Sequence, residues 1–469
     1  MTTSFEYGGY VRSSVVLLLT LGMSTAVLAD PAELDQVRGL IKQQGVKWVA
    51  DETWISRLAP EERRSFLLSA PLVRTLPPGT RLSFTPPTPP AAFDWRNVSN
   101  SSYLTSVKQQ VSSTCVAYAN TASLESCVLR EMEPHLLRLL QPGSEIDLSE
   151  HALVSCNSGY PGNVDKFLMN TGLPTEACYP FNASAGQCAT ACPGWQSKTF
   201  RFLNHDYYKH LKIDEVKALL VQFGPLVTGI NVPADFFTYK GGIYSTTLKT
   251  NQGFHEVLLV GYDDPNKCFI VKNSWGPTWG ESGYFRIAYS EFESGDRGGT
   301  VDFGTLIDAY YGLVASIPVA VKTADGHYLT VVNGGGLGGP GTGPSAVALH
   351  SDATREGAWE TFQMEWSDPT HFALKTVNGN YVTAINGGGM GGPNTAASPI
   401  HTDAVKVGPW EKLFLEYNTV TRKAALRTPN GQYLTAVNGG GFGGPNNVPI
   451  HTDAKRVGAW ELFTLEMLK

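Results

Sequence analysis

The chain of 469 residues has no cysteine after Cys268, although seven lie between Cys115 and Cys268. An excess of one charge sign is also missing: 36 Lys plus Arg stand against 42 Asp plus Glu, a net charge of −6. Without a basic stripe, general nucleic-acid binding is excluded. Charged residues are few, at 17%, and hydrophobic residues reach 42%, which excludes a disordered or collagen-like chain. Long apolar runs are scarce. The run Val15 to Ala29 is too short for a comfortable span of ~20 residues. Arg12 precedes it and Val27-Leu28-Ala29 closes it with small residues. It reads as a cleaved signal peptide over residues 1–29. The expected location is therefore secreted or periplasmic, with no membrane span after cleavage.

What is present divides into three parts. Residues 30–92 hold a charged stretch with Leu34, Val37, Leu40 and Ile41 at helical spacing, then a proline cluster from Pro77 to Pro90. A segment of that kind is extended and exposed, and it suits proteolytic removal. Residues 93–313 have the composition of a mixed α+β domain. Residues 314–469 repeat themselves three times. Each copy runs through Gly-x-Tyr-[LV]-Thr (Tyr328, Tyr381, Tyr433) into Asn-Gly-Gly-Gly-x-Gly-Gly-Pro (from Asn333, Asn386, Asn438). Each closes on His-[ST]-Asp and Gly-x-Trp-Glu, at His350/Trp359, His401/Trp410 and His451/Trp460.

Three short copies with period-2 alternation and glycine turns predict one all-β domain with threefold pseudosymmetry, a β-trefoil. The repeated tyrosines and tryptophans are expected to anchor its core. The motif Lys-Thr-x-x-Gly-x-Tyr-[LV]-Thr-Ala and the closing Trp-Glu resemble fascin-like trefoils, which implies a carbohydrate or protein ligand. The spacing Gly334-x-Gly336-x-x-Gly339 matches a dinucleotide fingerprint but runs into proline and opens no helix, so no cofactor is expected. The repeated His-x-Asp is read as a hydrogen bond closing a turn, and no metal is expected.

The chemistry concentrates upstream. Val107-Lys108-Gln109-Gln110-Val111-Ser112-Ser113-Thr114-Cys115 leads into a helical stretch that Pro134 stops. A thiol at a helix N-terminus feels the positive end of the dipole, which favours thiolate. Its partner must be a base, and His255 opens the apolar strand Gly253-Phe254-His255-Glu256-Val257-Leu258-Leu259-Val260. Asn273, in Val271-Lys272-Asn273-Ser274-Trp275-Gly276, supplies an amide that fixes an imidazole. Seven cysteines make an odd set: six for bridges and one thiol kept for chemistry.

The order Gln, Cys, His, Asn over residues 93–313 resembles the papain-like cysteine proteases, with Asn273-Ser274-Trp275-Gly276 and Trp279-Gly280 as its most specific marks. The resemblance implies an α+β fold, helical half plus β-barrel-like half, acting on protein or peptide substrates. It implies Cys115 as nucleophile, His255 as proton partner and Asn273 as the orienting group. Gln109, at the family's offset, is implied as oxyanion donor, with Gln110 as rival if one residue is deleted. Trp275 would shield the Asn–His bond. Gly159 and Tyr160 match the cleft wall, and Gly229 and Phe254 the pocket for the second residue before the scissile bond. Trp48-Val49-Ala50 and Leu58-x-x-Glu61-Glu62 resemble the family's short prodomains and imply a zymogen. Cys156–Cys188 is the one bridge this reading assigns; Cys127, Cys178, Cys192 and Cys268 stay without partners in it. Thr114 and Val116 depart from the pattern around the nucleophile. The competing reading is a binding or effector protein with a weak or silent protease fold.

Overall fold

The structure, a computed structural model, describes residues 31–70, 88–132, 145–182, 188–295, 301–338, 347–366, 371–391, 399–418, 421–443 and 448–468. The signal peptide read over residues 1–29 and most of the proline cluster lie outside the described residues.

Helix α1 (Pro31–Gln44) buries Leu34 and Val37, as their spacing demands. Strand β1 (Trp48–Ala50) and helix α2 (Pro60–Arg64) follow, and β2 (Ala92–Asp94) opens the next unit. Helix α3 (Cys115–Glu131) is buried from Cys115 through Thr121 and again from Ser123 through Val128, so it is a core helix with almost no wet face. Helix α4 (Glu150–Cys156) starts on Ser149, whose side chain accepts from the Ala152 backbone N–H at 3.1 Å. Helix α5 (Val164–Asn170) completes this helical side.

Strands make the other side. They are β3 (Phe200–Lys209), β4 (Leu226–Asn231), β5 (Tyr239–Tyr244), β6 (Phe254–Asp263), β7 (Cys268–Lys272) and β8 (Tyr284–Ala288). Between β3 and β4, helix α6 (Ile213–Phe223) ends at Gly224, whose φ of 103° only glycine adopts freely, just before Pro225. Strand β6 is flanked by β4 and β7, β7 by β8, and β5 joins β8 in parallel. Except for Asp263, β6 and β7 are buried throughout, which is why both read as continuous apolar runs. The N-terminal segment belongs to this sheet: β1 pairs antiparallel with β5.

Strand β9 (Leu306–Lys322) spans 17 residues and pairs along its first part with β3, from Lys209↔Leu306 to Phe200↔Ala315. It then enters the repeats. The copies hold β10 (Tyr328–Val331), β11 (Leu349–Ala353) and β12 (Thr361–Trp366); β13 (His371–Lys375), β14 (Tyr381–Ala384), β15 (Ile400–Ala404) and β16 (Leu413–Asn418); and β17 (Lys423–Arg427), β18 (Tyr433–Ala436), β19 (Ile450–Ala454) and β20 (Thr464–Met467). Strand β9 pairs with β12, β12 with β13, β13 with β16 and β16 with β17. The bridge Ala424↔Phe463 and the β20–β9 pairing close the circle. Hairpins β10–β11, β14–β15 and β18–β19 stand outside it.

The glycine-rich turns stitch each copy to the next. Gly336 donates to the Thr402 carbonyl at 2.6 Å, Gly389 to Thr452 at 2.7 Å and Gly441 to Ser351 at 2.6 Å. Side chains are excluded from these turns: a Cβ on Gly335 would meet Thr376 Oγ1 at 2.4 Å, and one on Gly388 would meet Thr428 Oγ1 at 2.3 Å.

Three expectations need correction. The boundary expected at 313/314 falls inside β9, which is laddered on both sides of it. Trp359, Trp410 and Trp460 are 44–47% exposed and do not anchor the core; Leu329, Phe362, Leu374, Leu426, Leu434 and Phe463 fill it. The repeated tyrosines are inside in two copies, Tyr328 at 5% and Tyr381 at 8% exposure, and their hydroxyls reach carboxylates, Tyr328 to Glu466 at 2.7 Å, Tyr381 to Glu365 at 2.8 Å and Tyr433 to Glu416 at 2.9 Å. The His-x-Asp pairs stand 3.8–3.9 Å apart, too far for the hydrogen bond expected of them.

Cysteine use also differs. Cys156–Cys188 forms, Cys178–Cys192 joins it, and three thiols stay free: Cys115, Cys127 and Cys268. Cys127 is buried in α3 beside Glu131, its sulfur 3.4 Å from that carboxylate, and Cys268 starts the buried strand β7. Both behave as small core residues.

Candidate active site

Two elements bring the site together. Cys115 is the first residue of α3, and α3 packs on β6, where His255 is the second residue. His255 is fully buried, and its Nε2 lies 2.8 Å from Asn273 Oδ1, just beyond the end of neighbouring β7. The same Oδ1 accepts from the Ser274 backbone N–H at 2.8 Å, so the amide orientation is fixed. The Trp275 ring stacks on the imidazole, with centroids 4.8 Å apart and planes at 30°. The other ring nitrogen, Nδ1, is buried without a hydrogen-bond partner. An imidazole with one nitrogen pinned and the other open is oriented for proton exchange.

Burial dominates the electrostatics of both groups. It lowers His255 to about 4, against the smaller opposing effect of the Asn273 hydrogen bond. It raises the Cys115 thiol to about 12; the Glu256 backbone N–H, donating to the sulfur, works against this and the Glu256 carboxylate adds to it. The helix N-terminus is present as expected, but desolvation outweighs its preference for thiolate. Both groups are therefore neutral in this covered state.

The cover is the N-terminal segment. Trp54 donates through Nε1 to the Trp275 carbonyl at 2.7 Å, and its ring meets Phe66 edge-on. Leu68 and Phe254 exchange backbone hydrogen bonds at 2.8 and 2.9 Å. Between these anchors the Phe66 carbonyl accepts from Gln110 Nε2 at 2.9 Å.

The two glutamines are not equivalent. Gln109 is exposed, its backbone bridged to Trp275. Gln110 is buried: Ser274 Oγ donates to its Oε1 at 2.6 Å, and its backbone N–H donates to the Ser274 carbonyl at 2.8 Å. Of the two, Gln110 is therefore the one held inside, between Ser274 and the Phe66 carbonyl, while the Gln109 side chain stands at the surface.

The remaining expected positions are near neighbours. Gly229 lies under Phe254: a Cβ on the glycine would meet the ring at 2.0 Å. The Gly159 backbone N–H donates to Asn157 Oδ1 at 3.2 Å. The Tyr160 hydroxyl is buried without a partner, and its pKa is well above the usual phenol range through burial first and the nearby Cys115 second.

A cluster of charged groups without a counterpart in the expected site lies beside Asn273 and Ser274. A cavity of about 20 Å³ is lined by Lys108, Glu125, Glu150, Glu256 and Lys272 together with Tyr118, Asn273 and Ser274. Lys108 Nζ reaches Glu125 at 2.9 Å, Glu150 at 2.8 Å and Asp147 at 2.6 Å. Lys272 donates to the Thr105 carbonyl at 2.8 Å and to its hydroxyl at 3.0 Å, and burial lowers it to about 8. A glutamate inside the apolar run of β6 was the available sequence signal.

A family model described as "Papain family cysteine protease" matches residues 89–297. "Cathepsin B-like CP2" of Giardia intestinalis is 38% identical over 146 residues, 29% of this chain and 49% of that protein. "Gamete and mating-type specific protein A" of Dictyostelium discoideum is 35% identical over 201 residues, 42% of each. "Pro-cathepsin H" of Bos taurus is 32% identical over 244 residues, 48% of this chain and 68% of that protein. The chain spans about half the length of the first two relatives. No helix among the described residues is long and apolar enough to cross a membrane. With these matches over the residues that hold Cys115, His255 and Asn273, the chain belongs to the papain family of cysteine proteases.

Proposed function

We propose that the chain is an exported cysteine endopeptidase, made as a zymogen, that hydrolyses peptide bonds in protein or peptide substrates through Cys115, His255 and Asn273. The observation that carries this is the imidazole of His255, held on Asn273 by one nitrogen and open at the other. The thiolate forms when Cys115 gives its proton to His255. It attacks the substrate carbonyl carbon, and the imidazolium then protonates the departing amine. Water, deprotonated by His255, releases the acyl group. Trp275 keeps solvent off the Asn–His bond.

The oxyanion donors in this reading are the Gln110 side-chain amide and the Cys115 backbone N–H, with Ser274 holding the amide in place. The Phe66 carbonyl occupies that amide in the covered state, so residues 31–70 act as a pro-segment. Gly159 and Tyr160 line the cleft, and Phe254 over Gly229 makes its second pocket apolar. Two disulfides suit an oxidising, extracytoplasmic compartment, secreted or periplasmic.

The closed ring of six strands with three outer hairpins supports a β-trefoil for the repeats, similar to the fascin-like kind. Its ligand in this reading is a carbohydrate or a protein, and its part is to bring the catalytic unit to its substrate. The test is digestion of a denatured protein by the chain freed of its pro-segment, with and without iodoacetamide. Digestion that the reagent leaves untouched, or none at all, would overturn the reading.

A further inference from the structure

A second cavity opens where the catalytic unit meets the repeats. Its volume is about 700 Å³, and it shares no residue with the catalytic site. Sites for organic ligands commonly span ~300–1,000 Å³. The catalytic unit contributes Asn170, Gln196 and Arg201; the repeats contribute Gln363 and Glu365 from β12 and Lys375 from β13. Neither unit makes this wall alone. Hydroxyls dominate the rest of the wall, and Val377 is its largest apolar side chain.

Charge in this cavity is out of balance by one cation. Lys375 Nζ lies 3.1 Å from Glu365, whose carboxylate also accepts from the Tyr381 hydroxyl at 2.8 Å. Arg201 meets no carboxylate among the described residues; its guanidinium reaches the Asn170 carbonyl at 3.4 Å, a long contact. The stem of Arg201 lies on Gly172, where a Cβ would meet its Cγ at 2.2 Å, so the glycine makes room for the side chain at the wall. The repeat side of the wall departs from its own copies. Gln363 stands where the second copy has Phe414 and the third has Thr464. The Phe414 ring is covered by the Arg427 guanidinium, 4.3 Å from its centroid. Gln363 accepts from the Ser316 hydroxyl at 3.2 Å, and its amide N–H groups have no partner among the described residues. The hydroxyls of Thr323 and Thr428 donate to carbonyls at 2.8 and 2.9 Å, whereas that of Thr376, at the same place in the wall's own copy, has no partner.

We propose that this junction binds a carbohydrate bearing a carboxylate, with Arg201 as partner of the carboxylate and Gln363 and the wall hydroxyls as partners of the sugar hydroxyls. A guanidinium fork matches a carboxylate with two parallel hydrogen bonds. Amides and hydroxyls donate and accept, as sugar hydroxyls do, and an apolar ligand would strand them. A peptide is held by a free strand edge or by apolar pockets. Strand β12 is paired on both edges, with β9 and β13, and Val377 alone makes no pocket. The proposal rests on the reading of the repeats as a ligand-binding unit, and it gives that ligand a class and a place that the catalytic unit helps to build.

The test is titration calorimetry on the full chain carrying Cys115→Ala, which prevents self-digestion, with tri-galacturonate, 3′-sialyllactose, maltotriose and tri-glutamate as probes. At least one acidic glycan should bind about tenfold tighter than maltotriose, the usual order for a hydrogen bond to a charged group. Which of the two binds names the source of the carboxylate. Arg201→Ala should bring that affinity down to the level of maltotriose. Gln363→Phe, which installs the residue of the second copy, should weaken the acidic and the neutral glycan alike, and it keeps the proposal testable if Arg201→Ala does not fold. Tri-glutamate binding as tightly as the acidic glycans would mean that charge alone is read, and would overturn the proposal. Glycan binding that neither substitution moves overturns this site, while the reading of the repeats as a binding unit stands with its ligand elsewhere. A chain that binds no glycan overturns the proposal and leaves the repeats to a protein ligand.

Discussion

The two halves of the chain handle charge in opposite ways. The catalytic unit buries single, unrepeated ionisable groups, with Glu125, Glu150, Glu256 and Lys272 all under 10% exposed. The repeat unit copies one device three times, a part-exposed cation and carboxylate on a tyrosine that is buried in two copies: Lys322–Tyr328–Glu466, Lys375–Tyr381–Glu365 and Arg427–Tyr433–Glu416. A buried charge is costly unless matched, so it persists where the chemistry next to it needs a field. A surface triad is worth little singly and is tolerant of loss. The comparison teaches that uniqueness marks the catalytic half and redundancy the repeat half.

The sharpest way to break that contrast is at the nucleophile. Cys115→Ala should abolish peptide hydrolysis while the chain stays folded, and His255→Ala should be nearly as severe; full turnover in either, measured on a short peptide, would end the assignment. Gln110→Ala should lower kcat ~10²–10³-fold, the usual loss for one oxyanion donor, while Gln109→Ala stays near wild type. Reversal of that order would return the role to Gln109. Removing residues 31–70 should open His255 and Cys115 to water, lifting the first from about 4 and lowering the second from about 12. Since His255 is depressed while covered, the cover is stable above its uncovered value and is lost as pH falls toward 4. Titrating Cys115 labelling against pH should therefore show uncovering on the acid side.

Smaller effects test the charge comparison itself. Lys108→Met strands Glu125 and Glu150 and should cost ~3–5 kcal/mol in urea unfolding. Tyr433→Phe, in an exposed triad, should cost about 1 kcal/mol or less. If the two cost the same, the distinction between unique and redundant charge fails.

Much of this was legible in the sequence because the signals were local. Cys115, His255 and Asn273 each sit in a short motif, and β6 and β7 declare themselves as apolar runs. The threefold repeat was equally plain. The buried side of the tryptophans was not: Gly-x-Trp-Glu has the composition of an anchor, but the ring stays out while the glutamate turns in, Glu411 taking the Thr383 hydroxyl and Glu461 that of Thr435, each at 2.7 Å. The choice between Gln109 and Gln110 depends on a register that only Ser274, far along the chain, decides. Cys178–Cys192 was invisible for the same reason, since pairing depends on where the turns after α4 bring the thiols together.

The shared strand β9 has one more consequence. Ala315 faces Phe200 of the catalytic sheet on one edge and Trp366 of the first repeat on the other, so the units meet at a rung and not across a flexible connector. A chain ended at Gly312 should therefore lose part of the β3 ladder and lower the melting temperature of what remains. For a working protease the result concerns aim. Two bodies on a swivel sample many relative directions, whereas two bodies that share a strand keep one, so the repeats and the cleft hold a fixed bearing to each other.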